Sequence, residues 1–336
     1  MPGRRLLEFP MPKNHRFGST VLGGLYGRSR QGLRLALCGL VIGLIGCQSP
    51  PKVGDAAPPP VEVVTPIPAP VVVPTPVPRP PKVGLALGGG AARGFAHIGV
   101  IQVLEENGIQ ASLVAGTSAG SLVAALYASG KNGAELGVLA DSMDESTLTD
   151  WSYPGRGVIR GAALAKFVRD QTGGRNIEQM RLPLGIVATD LDNGQAILFQ
   201  VGDAGTAVRA SSAVPAVFQP VKISGREYVD GGLVAPVPVR FARQMGAQIV
   251  VAVDISAAPE GNPTGDAMRM LLQTFAIMGR SINNFELRDA DIVVRPQLPG
   301  VSSADFSTRK RSIQAGREAM QGQLAELKSR ILAKTL

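Results

Sequence analysis

The sequence predicts an α/β protein of three layers, in which helices cover both faces of a mostly parallel central sheet. Two observations support this prediction. Of the 336 residues, 45% are hydrophobic, only 4% are aromatic and 41 are glycine, which suits apolar strands joined to helices by tight turns. From residue 82 onwards, short apolar runs alternate with amphipathic segments, and this alternation is typical of parallel strands joined by helical crossovers.

The positive charge of the chain is concentrated at its N-terminus. The formal net charge is +8, from 34 Lys and Arg against 26 Asp and Glu. Residues 1–46 hold seven of the basic residues and one acidic residue, so the remainder is nearly neutral. Because the sequence contains no basic stripe with interleaved aromatic residues, we exclude nucleic acid as a partner.

Residues 28–47 have the pattern of a secretory signal. Three arginines precede an apolar run of twelve residues, Leu35–Gly46, which is shorter than the ~20 residues that a spanning helix needs. The run ends in LIGC, which resembles the lipobox of bacterial lipoproteins and implies lipidation of Cys47 at a new N-terminus. We therefore expect residues 1–46 to be a lipoprotein signal peptide. The alternatives are an ordinary secretory signal or a short membrane-associated helix.

The residue after the cysteine is Gln48. In bacterial lipoproteins, a residue other than Asp at this position usually accompanies an outer-membrane location. We therefore expect a lipid-anchored protein of the bacterial cell envelope. Residues 47–81 are predicted to be an extended tether, because Ser49–Pro81 contains 13 of the 26 prolines and proline lacks the backbone donor that helices and sheets require. The tether is interpreted as a spacer, with a disordered linker as the alternative.

The globular part, residues 82–336, opens with a strand, a glycine-rich loop and a helix. The strand is Val83–Leu87 and the helix runs from Phe95 to Asn107, closed by Gly108. The loop could suit a dinucleotide, but a strict GxGxxG is absent and no acidic residue ends the next strand. We favour an oxyanion loop, because glycines let backbone N–H groups turn towards a carbonyl oxygen, with Arg93 holding the loop or adding positive charge.

A second strand and helix surround the sequence GTSAGS, residues 116–121. Leu113–Ala115 is predicted to be a buried strand and Ser121–Ala128 a helix. Strand, GxSxG and helix form the context of a nucleophile elbow, in which small neighbours let the serine hydroxyl project from the sheet. We therefore predict Ser118 as a nucleophile and the N–H of Ala119 as an oxyanion donor; the alternative is a glycine-rich turn with a capping serine.

The remaining segments continue the alternation of strands and helices. The predicted helices are Ala134–Met143, Ala162–Thr172, Thr206–Ser212, Asp266–Arg288 and Ser307–Ala333, and the predicted strands are Leu184–Asp190, Ala196–Gln200, Glu227–Val229, Ile249–Asp254 and Ile292–Val294. Asn193-Gly194 predicts a hairpin turn. Asp190 and Asp192 beside it could be a metal or acid–base pair, but we favour turn formers.

Histidine is too scarce for a Ser-His-Asp triad. The chain has two histidines: His15 lies in the predicted signal peptide, and His97 lies inside a predicted helix, before the serine in chain order. A carboxylate is therefore expected as the base. Both cysteines, Cys38 and Cys47, lie at the N-terminal end, so the globular part has no cysteine metal site and we expect no metal or organic cofactor.

Four ordered segments resemble the patatin-like phospholipase family, particularly its bacterial members. They are LALGGGAARGFAHIGVI (85–101), GTSAGS (116–121), VRASSAVPAVFQP (208–220) and VDGG (229–232). The resemblance implies a Ser-Asp dyad, with Ser118 as nucleophile and Asp230 as base. It also implies oxyanion donors at Gly89, Gly90 and Ala91, supported by Arg93. The motif glycines are Gly88, Gly94, Gly116, Gly120, Gly231 and Gly232.

Ala91 departs from the all-glycine form of the loop, which is tolerable if its φ is negative, because the donors are backbone groups. The predicted function is a lipid acyl hydrolase acting on phospholipid, lysophospholipid or other acyl esters. The alternatives are a catalytically idle lipid-binding or scaffold protein, and a hydride-transfer enzyme. Because a carboxylate ionises at a pH of ~3.9, we expect turnover to persist at pH 6. Substrate preference and oligomeric state stay open.

Overall fold

The computed structural model describes residues 79–148, 150–151, 155–260, 262, 264–301 and 305–335. The predicted signal peptide, most of the tether and Cys47 lie outside the described residues. Within them, the strands are β1 Val83–Leu87, β2 Leu113–Thr117, β3 Gly157–Ile159, β4 Leu184–Asp190, β5 Ala196–Phe199, β6 Ala216–Phe218, β7 Val221–Ile223, β8 Arg226–Asp230, β9 Ile249–Val253 and β10 Ile292–Val294.

The helices of the described residues follow the predicted order. They are α1 Phe95–Glu106, α2 Ala119–Ala128, α3 Gly133–Ser142, α4 Glu145–Leu148, α5 Ala162–Thr172, α6 Ala204–Ser211, α7 Val239–Gln244, α8 Ala267–Glu286 and α9 Arg309–Ala333. None of these helices is both long and apolar enough to cross a bilayer.

The main sheet has the order β10-β9-β1-β2-β4-β8-β7, with β5 also paired to β4. The pairs from β10 to β4 are parallel, whereas β5, β8 and β7 pair in antiparallel fashion. This agrees with the predicted α/β class. The short strands β3 and β6 form a separate parallel pair. The sequence reasoning missed β3, β6, β7, α4 and α7, each of which has at most six residues.

Side chains of the central strands alternate between two apolar clusters, as a sheet covered on both faces requires. Leu85 and Leu87 of β1 belong to the cluster that contains α1, α2 and α9. Ala86, between them, points to the opposite cluster, which contains α7. The helices therefore cover both faces of the sheet, and the three predicted layers are present.

Strands β2 and β8 meet end to end along one side of β4. Val187 of β4 pairs with Thr117, the last residue of β2, and the next residue, Ala188, pairs with Asp230, the last residue of β8. Strand β5 pairs with both residues of β4 from the opposite side. The C-terminal ends of β2 and β8 therefore converge, although more than 110 residues of chain separate them.

Candidate active site

Ser118 occupies a strained turn between β2 and α2. Its φ is 53° and its ψ is −123°, a backbone conformation that non-glycine residues seldom adopt and that costs about 1–3 kcal/mol. The flanking glycines permit it. A Cβ on Gly120 would lie 2.0 Å from the carbonyl oxygen of Leu87, and one on Gly116 would lie 2.5 Å from the carbonyl oxygen of Gly120. This is the geometry expected of a nucleophile elbow.

The turn is held by a buried serine that sequence reasoning did not single out. The N–H of Ser118 donates to Oγ of Ser211 over 2.8 Å, and Ser211 Oγ donates to the carbonyl oxygen of Val187 over 2.6 Å. Ser211 is fully buried. It thus connects α6, the elbow and β4. Ser211 lies in the segment 208–220, one of the four that carry the family resemblance. No spacing rule, however, relates this serine to residue 118.

Asp230 is fixed by hydrogen bonds on its backbone and its side chain. Its N–H donates to the carbonyl oxygen of Ala213 over 3.0 Å, and its carbonyl oxygen accepts from Oγ1 of Thr189 over 2.8 Å. Its carboxylate Oδ1 accepts from the N–H of Gly232 over 2.7 Å. These bonds hold the carboxyl group in one position at the end of β8.

The carboxyl group of Asp230 has an unusual acidity. Burial raises its pKa to about 6, while hydrogen bonds from Gly232 and from the Ser118 side chain act in the opposite direction. About half of the carboxyl groups would be protonated at pH 6, so turnover should persist there at a reduced rate, and the expectation for pH 6 stays a prediction. The ordinary pKa of an exposed carboxyl group was the wrong reference for a side chain that is 6% exposed.

The glycine-rich loop after β1 lies against the elbow, but one of its predicted donors is wrong. The N–H of Gly89 donates to the carbonyl oxygen of Pro236 over 2.9 Å, so it is already used. Among the described residues, the N–H groups of Gly90, Ala91 and Ala119 have no such acceptor. Gly89 instead allows the loop to approach the elbow closely, because a Cβ at residue 89 would lie 3.2 Å from Cβ of Ser118.

The conformation of Ala91 also differs from expectation. Its φ is 51°, not negative, so the loop holds an alanine in the left-handed region at a cost of roughly 1–2 kcal/mol. Arg93 supports the loop, because its Nε donates to the carbonyl oxygen of Ile255 over 2.9 Å. Burial lowers the pKa of Arg93, and nearby Asp254 partly offsets this. Gly94 packs on the elbow, with a Cβ there 2.9 Å from Cβ of Ala119.

His97 is fully buried in α1 and faces the same loop. Its Nε2 lies 2.8 Å from the carbonyl oxygen of Gly88, so this nitrogen must carry the proton that it donates. The other nitrogen, Nδ1, has no hydrogen-bond partner among the described residues. Burial lowers the pKa of His97 to about 4. The ring is therefore neutral at pH 7 and positions the loop through its contact with Gly88.

The two aspartates of the β4–β5 hairpin form a turn. The Asp190 carboxylate accepts from the N–H of Asp192 over 3.0 Å and pairs with Arg226. The connecting loop has four residues, 191–194, because Asp190 N–H still donates to the carbonyl oxygen of Gln195. Within the described part of the chain, no three His, Cys, Asp or Glu side chains cluster as metal ligands.

Comparisons with known proteins indicate a family for this chain. Residues 85–243 match the model of the family described as patatin-like phospholipase. The chain is 40% identical over 190 residues to an uncharacterized NTE family protein of Mycobacterium tuberculosis, covering 56% of this chain and 52% of that protein. It is 33% identical over 186 residues to human patatin-like phospholipase domain-containing protein 6, covering 53% of this chain and 14% of that protein.

A solved structure shows a similar fold. VipD from Legionella pneumophila superposes with a TM-score of 0.50 at 15% identity, covering 74% of this chain and 67% of VipD. At that identity the likeness extends to the fold alone. The match covers about half of the mycobacterial relative's length and a smaller part of the human one.

Proposed function

The chain belongs to the patatin-like phospholipase family, and from this premise we propose that it hydrolyses carboxylic ester bonds of lipids with a Ser-Asp dyad. The observation that carries the proposal is a serine at positive φ, on a strand-to-helix turn, beside a buried carboxyl group whose pKa the serine side chain lowers. Phospholipids, lysophospholipids and related acyl esters are the proposed substrates. No metal ion or organic cofactor enters the reaction.

In the acylation step, Ser118 Oγ attacks the ester carbonyl carbon while Asp230 takes the hydroxyl proton. The oxyanion forms next to the N–H groups of Gly90, Ala91 and Ala119, and the N-terminus of α2 adds favourable electrostatics. Collapse of the intermediate breaks the bond to the alkoxy oxygen. Asp230 returns its proton to that oxygen, and the alcohol or lysolipid leaves.

In the deacylation step, water attacks the acyl-serine and Asp230 takes a proton from the water. The second intermediate collapses to the free fatty acid, and the proton returns to Ser118. The raised pKa of Asp230 suits this role, because a base whose pKa is about 6 accepts a proton more readily near neutral pH than an ordinary aspartate.

Two other functions are weaker candidates. A catalytically idle lipid-binding protein has no need for a strained serine beside a buried carboxylate, since both features cost stability. A hydride-transfer enzyme requires a dinucleotide site, and the glycine-rich loop instead lies against Ser118.

Comparison of Ser118→Ala with wild type tests the proposal. Wild type should react with a fluorophosphonate probe and hydrolyse chromogenic esters and phospholipids, and Ser118→Ala should lose at least about 10³-fold in kcat/KM. Ser142→Ala, on the exposed side of α3, is the matched control. Circular dichroism checks folding. Wild-type turnover by Ser118→Ala, or an unreactive wild type, would show that Ser118 is not the nucleophile.

We further propose attachment of the protein to the outer membrane through lipidated Cys47. This rests on the LIGC sequence after a twelve-residue apolar run and lies outside the described residues. Two or more acyl chains anchor a protein stably, whereas one chain is marginal. Mass spectrometry of the membrane fraction should find an acylated N-terminal Cys47. Retention of residues 1–46 with an unmodified Cys47 would contradict the proposal.

A further inference from the structure

Helix α8 is the most exposed apolar element of the described structure. Of its 20 residues, only Asn283 and Glu286 are buried. Six of the twelve exposed large apolar side chains of the described residues lie on it, and they are Met268, Met270, Leu272, Ile277, Met278 and Phe285. Such a concentration on one helix marks an interaction surface, whereas single exposed apolar residues need no explanation.

The apolar side chains of α8 are not confined to one seam. Met268, Met278 and Phe285, with the half-buried Leu271, Phe275 and Ile282, follow a spacing of three and four residues on one flank. Met270 and Ile277 emerge elsewhere on the helix, at 59% and 51% exposure. Because a two-helix contact needs only one seam, this wider distribution favours immersion in an apolar medium.

The small polar residues on the outer side of α8 are satisfied by the helix itself. Thr274 Oγ1 donates to the carbonyl oxygen of Met270 over 3.0 Å, and Ser281 Oγ donates to that of Ile277 over 3.2 Å. A hydroxyl that bonds to its own helix can leave water at little cost, as side chains that contact lipid must. These contacts suit a lipid environment.

The charges of α8 complement a phospholipid surface. From Ala267 to Phe285 the charged residues are Arg269 and Arg280, and no acidic residue occurs. Their partners, Asp266 and Glu260, are exposed surface carboxylates outside the helix, and such pairs are weak. Long arginine side chains can therefore extend to lipid phosphates while their neighbours enter the acyl region. The one acid, Glu286, is buried and paired with Arg240.

Helix α8 is connected to the candidate active site. Asn283 Oδ1 accepts from the N–H of Val237 over 3.2 Å, and a Cβ on Gly279 would lie 3.6 Å from Cγ of Pro236. The carbonyl oxygen of Pro236 in turn accepts from Gly89, which touches Ser118. The helix is therefore linked through one short segment to the oxyanion loop.

We propose that the outer face of α8 docks on the phospholipid bilayer and lies at its headgroup–acyl boundary, beside the lipid that enters the active site. This inference rests on the proposed lipid hydrolase function for its purpose. The docking is separate from the predicted Cys47 anchor, since it places a specific face of the globular part on the lipid. Amphipathic helices with arginines on the polar side bind bilayers in this way.

The direct test uses site-specific fluorescence in the full chain. The chain has one tryptophan, so Trp151→Phe provides a background in which Phe285→Trp, Met278→Trp and the control Leu332→Trp are compared. Leu332, on α9, is 76% exposed. The vesicles contain phosphatidylcholine with brominated acyl chains and a minority of phosphatidylglycerol. Quenching at residues 285 and 278 should exceed that at 332 at least about twofold. Equal quenching at all three sites would overturn the proposal, whether or not the tether attaches the protein to the vesicle.

A second measurement separates docking from chemistry. Met278→Gln/Phe285→Gln should lower phospholipid hydrolysis in vesicles at least about 10-fold, because two apolar side chains no longer enter the lipid. It should leave hydrolysis of a soluble short-chain ester unchanged, and Leu332→Gln should leave both unchanged. If neither the wild type nor any variant hydrolyses either ester, the proposed hydrolase function is wrong. The quenching measurement then still tests whether α8 docks on the bilayer. A dimer that dissociates in the double variant, without quenching at 285, would assign the face to a second copy instead.

Discussion

The turns that follow the neighbouring strands β1 and β2 lie side by side at the C-terminal ends of these strands. Backbone strain has a different role in each turn. Each contains one non-glycine residue in the left-handed region, Ser118 with φ 53° and Ala91 with φ 51°. At Ser118 the strained residue carries the candidate nucleophile, so its side chain is essential. At Ala91 only the backbone N–H is of use, so the side chain contributes strain alone. Backbone strain is therefore a feature of both turns, but only in the elbow does the strained residue carry a side chain that the site requires.

The surroundings of the two turns differ as well. The elbow is held by a buried hydrogen-bond relay through Ser211 to β4 and faces a buried carboxyl group. The glycine-rich loop is held by contacts of its own flanks, with His97 bonded to Gly88 and Arg93 bonded to Ile255. Substitutions in the elbow should therefore change the rate most, and substitutions around the loop should act more weakly.

The largest effect is expected at Asp230. Asp230→Asn removes the base and should lower kcat/KM about 10²–10⁴-fold. It should also stabilise the fold at pH 7. The pKa of Asp230 is raised from 3.8 to about 6, so the charge destabilises the folded state by an amount on the order of 3 kcal/mol as the pH rises past 6. Steady-state kinetics and thermal unfolding at pH 5 and pH 8 measure both.

The control for this variant is Asp192→Asn, at an exposed hairpin position, which should change neither property. An Asp230→Asn protein that turns over well would show that another group is the base. Unchanged stability at pH 8 would show that the carboxyl group is not held in a desolvated site.

The next largest effect is expected at Ser211. Ser211→Ala leaves the N–H of Ser118 and the carbonyl oxygen of Val187 without their shared partner, which costs about 1–3 kcal/mol of stability. The elbow should lose its position, and kcat should fall about 10–100-fold with little change in KM. The adjacent Ser212→Ala is the control. A variant with lower stability but unchanged kcat would restrict Ser211 to a structural role.

A smaller effect is expected at His97. His97→Gln should lower kcat/KM by less than about 10-fold, because the ring positions Gly88 but does not move protons. The acid limb of kcat/KM should stay near pH 6 in both proteins, since it reports Asp230. A limb that disappears in His97→Gln would identify the histidine as the base.

The stability contributed by His97 has the opposite pH dependence from that of Asp230. Burial lowers its pKa from 6.5 to about 4, so its stabilising effect is fully present above pH 6.5 and is lost as the pH falls towards 4. In Asp230→Asn, acidification over this range should therefore destabilise the fold more steeply than in wild type. Adding His97→Gln should flatten that profile, as measured by urea unfolding. A steep profile that persists in the double variant would assign the effect to other groups.

The smallest effect is expected at Ala91. Ala91→Gly relieves a left-handed alanine but adds freedom to the unfolded chain, so stability should change by no more than about 1 kcal/mol, towards greater stability. Activity should stay within about threefold, because the backbone donor remains. Ala92→Gly, at a buried position without positive φ, should destabilise instead. A large loss of activity in Ala91→Gly would show that the alanine methyl group contributes to the site.

The sequence by itself determined the features that depend on local pattern. Apolar runs bounded by glycine or turn residues located β1 and β4 and the helix Ala162–Thr172 at their observed ends, because period and turn chemistry are local properties. The small residues around Ser118 predicted a strained elbow for the same reason. The scarcity of histidine indicated a carboxylate base without any structure. The three-residue strands β3 and β7 were missed because a glycine or a lysine interrupts their apolar character, whereas β10, of the same length, is a continuous apolar run and was located.

Only the tertiary structure decided how these features interact. The approach of Ser118 to Asp230 results from β2 and β8 meeting end to end on β4, and no local pattern encodes that pairing. The raised pKa of Asp230, the hydrogen bond that occupies the N–H of Gly89 and the support from Ser211 depend on burial and on partners distant in sequence. Burial and long-range hydrogen bonds are properties of the assembled chain, so they could not be read from residue spacing.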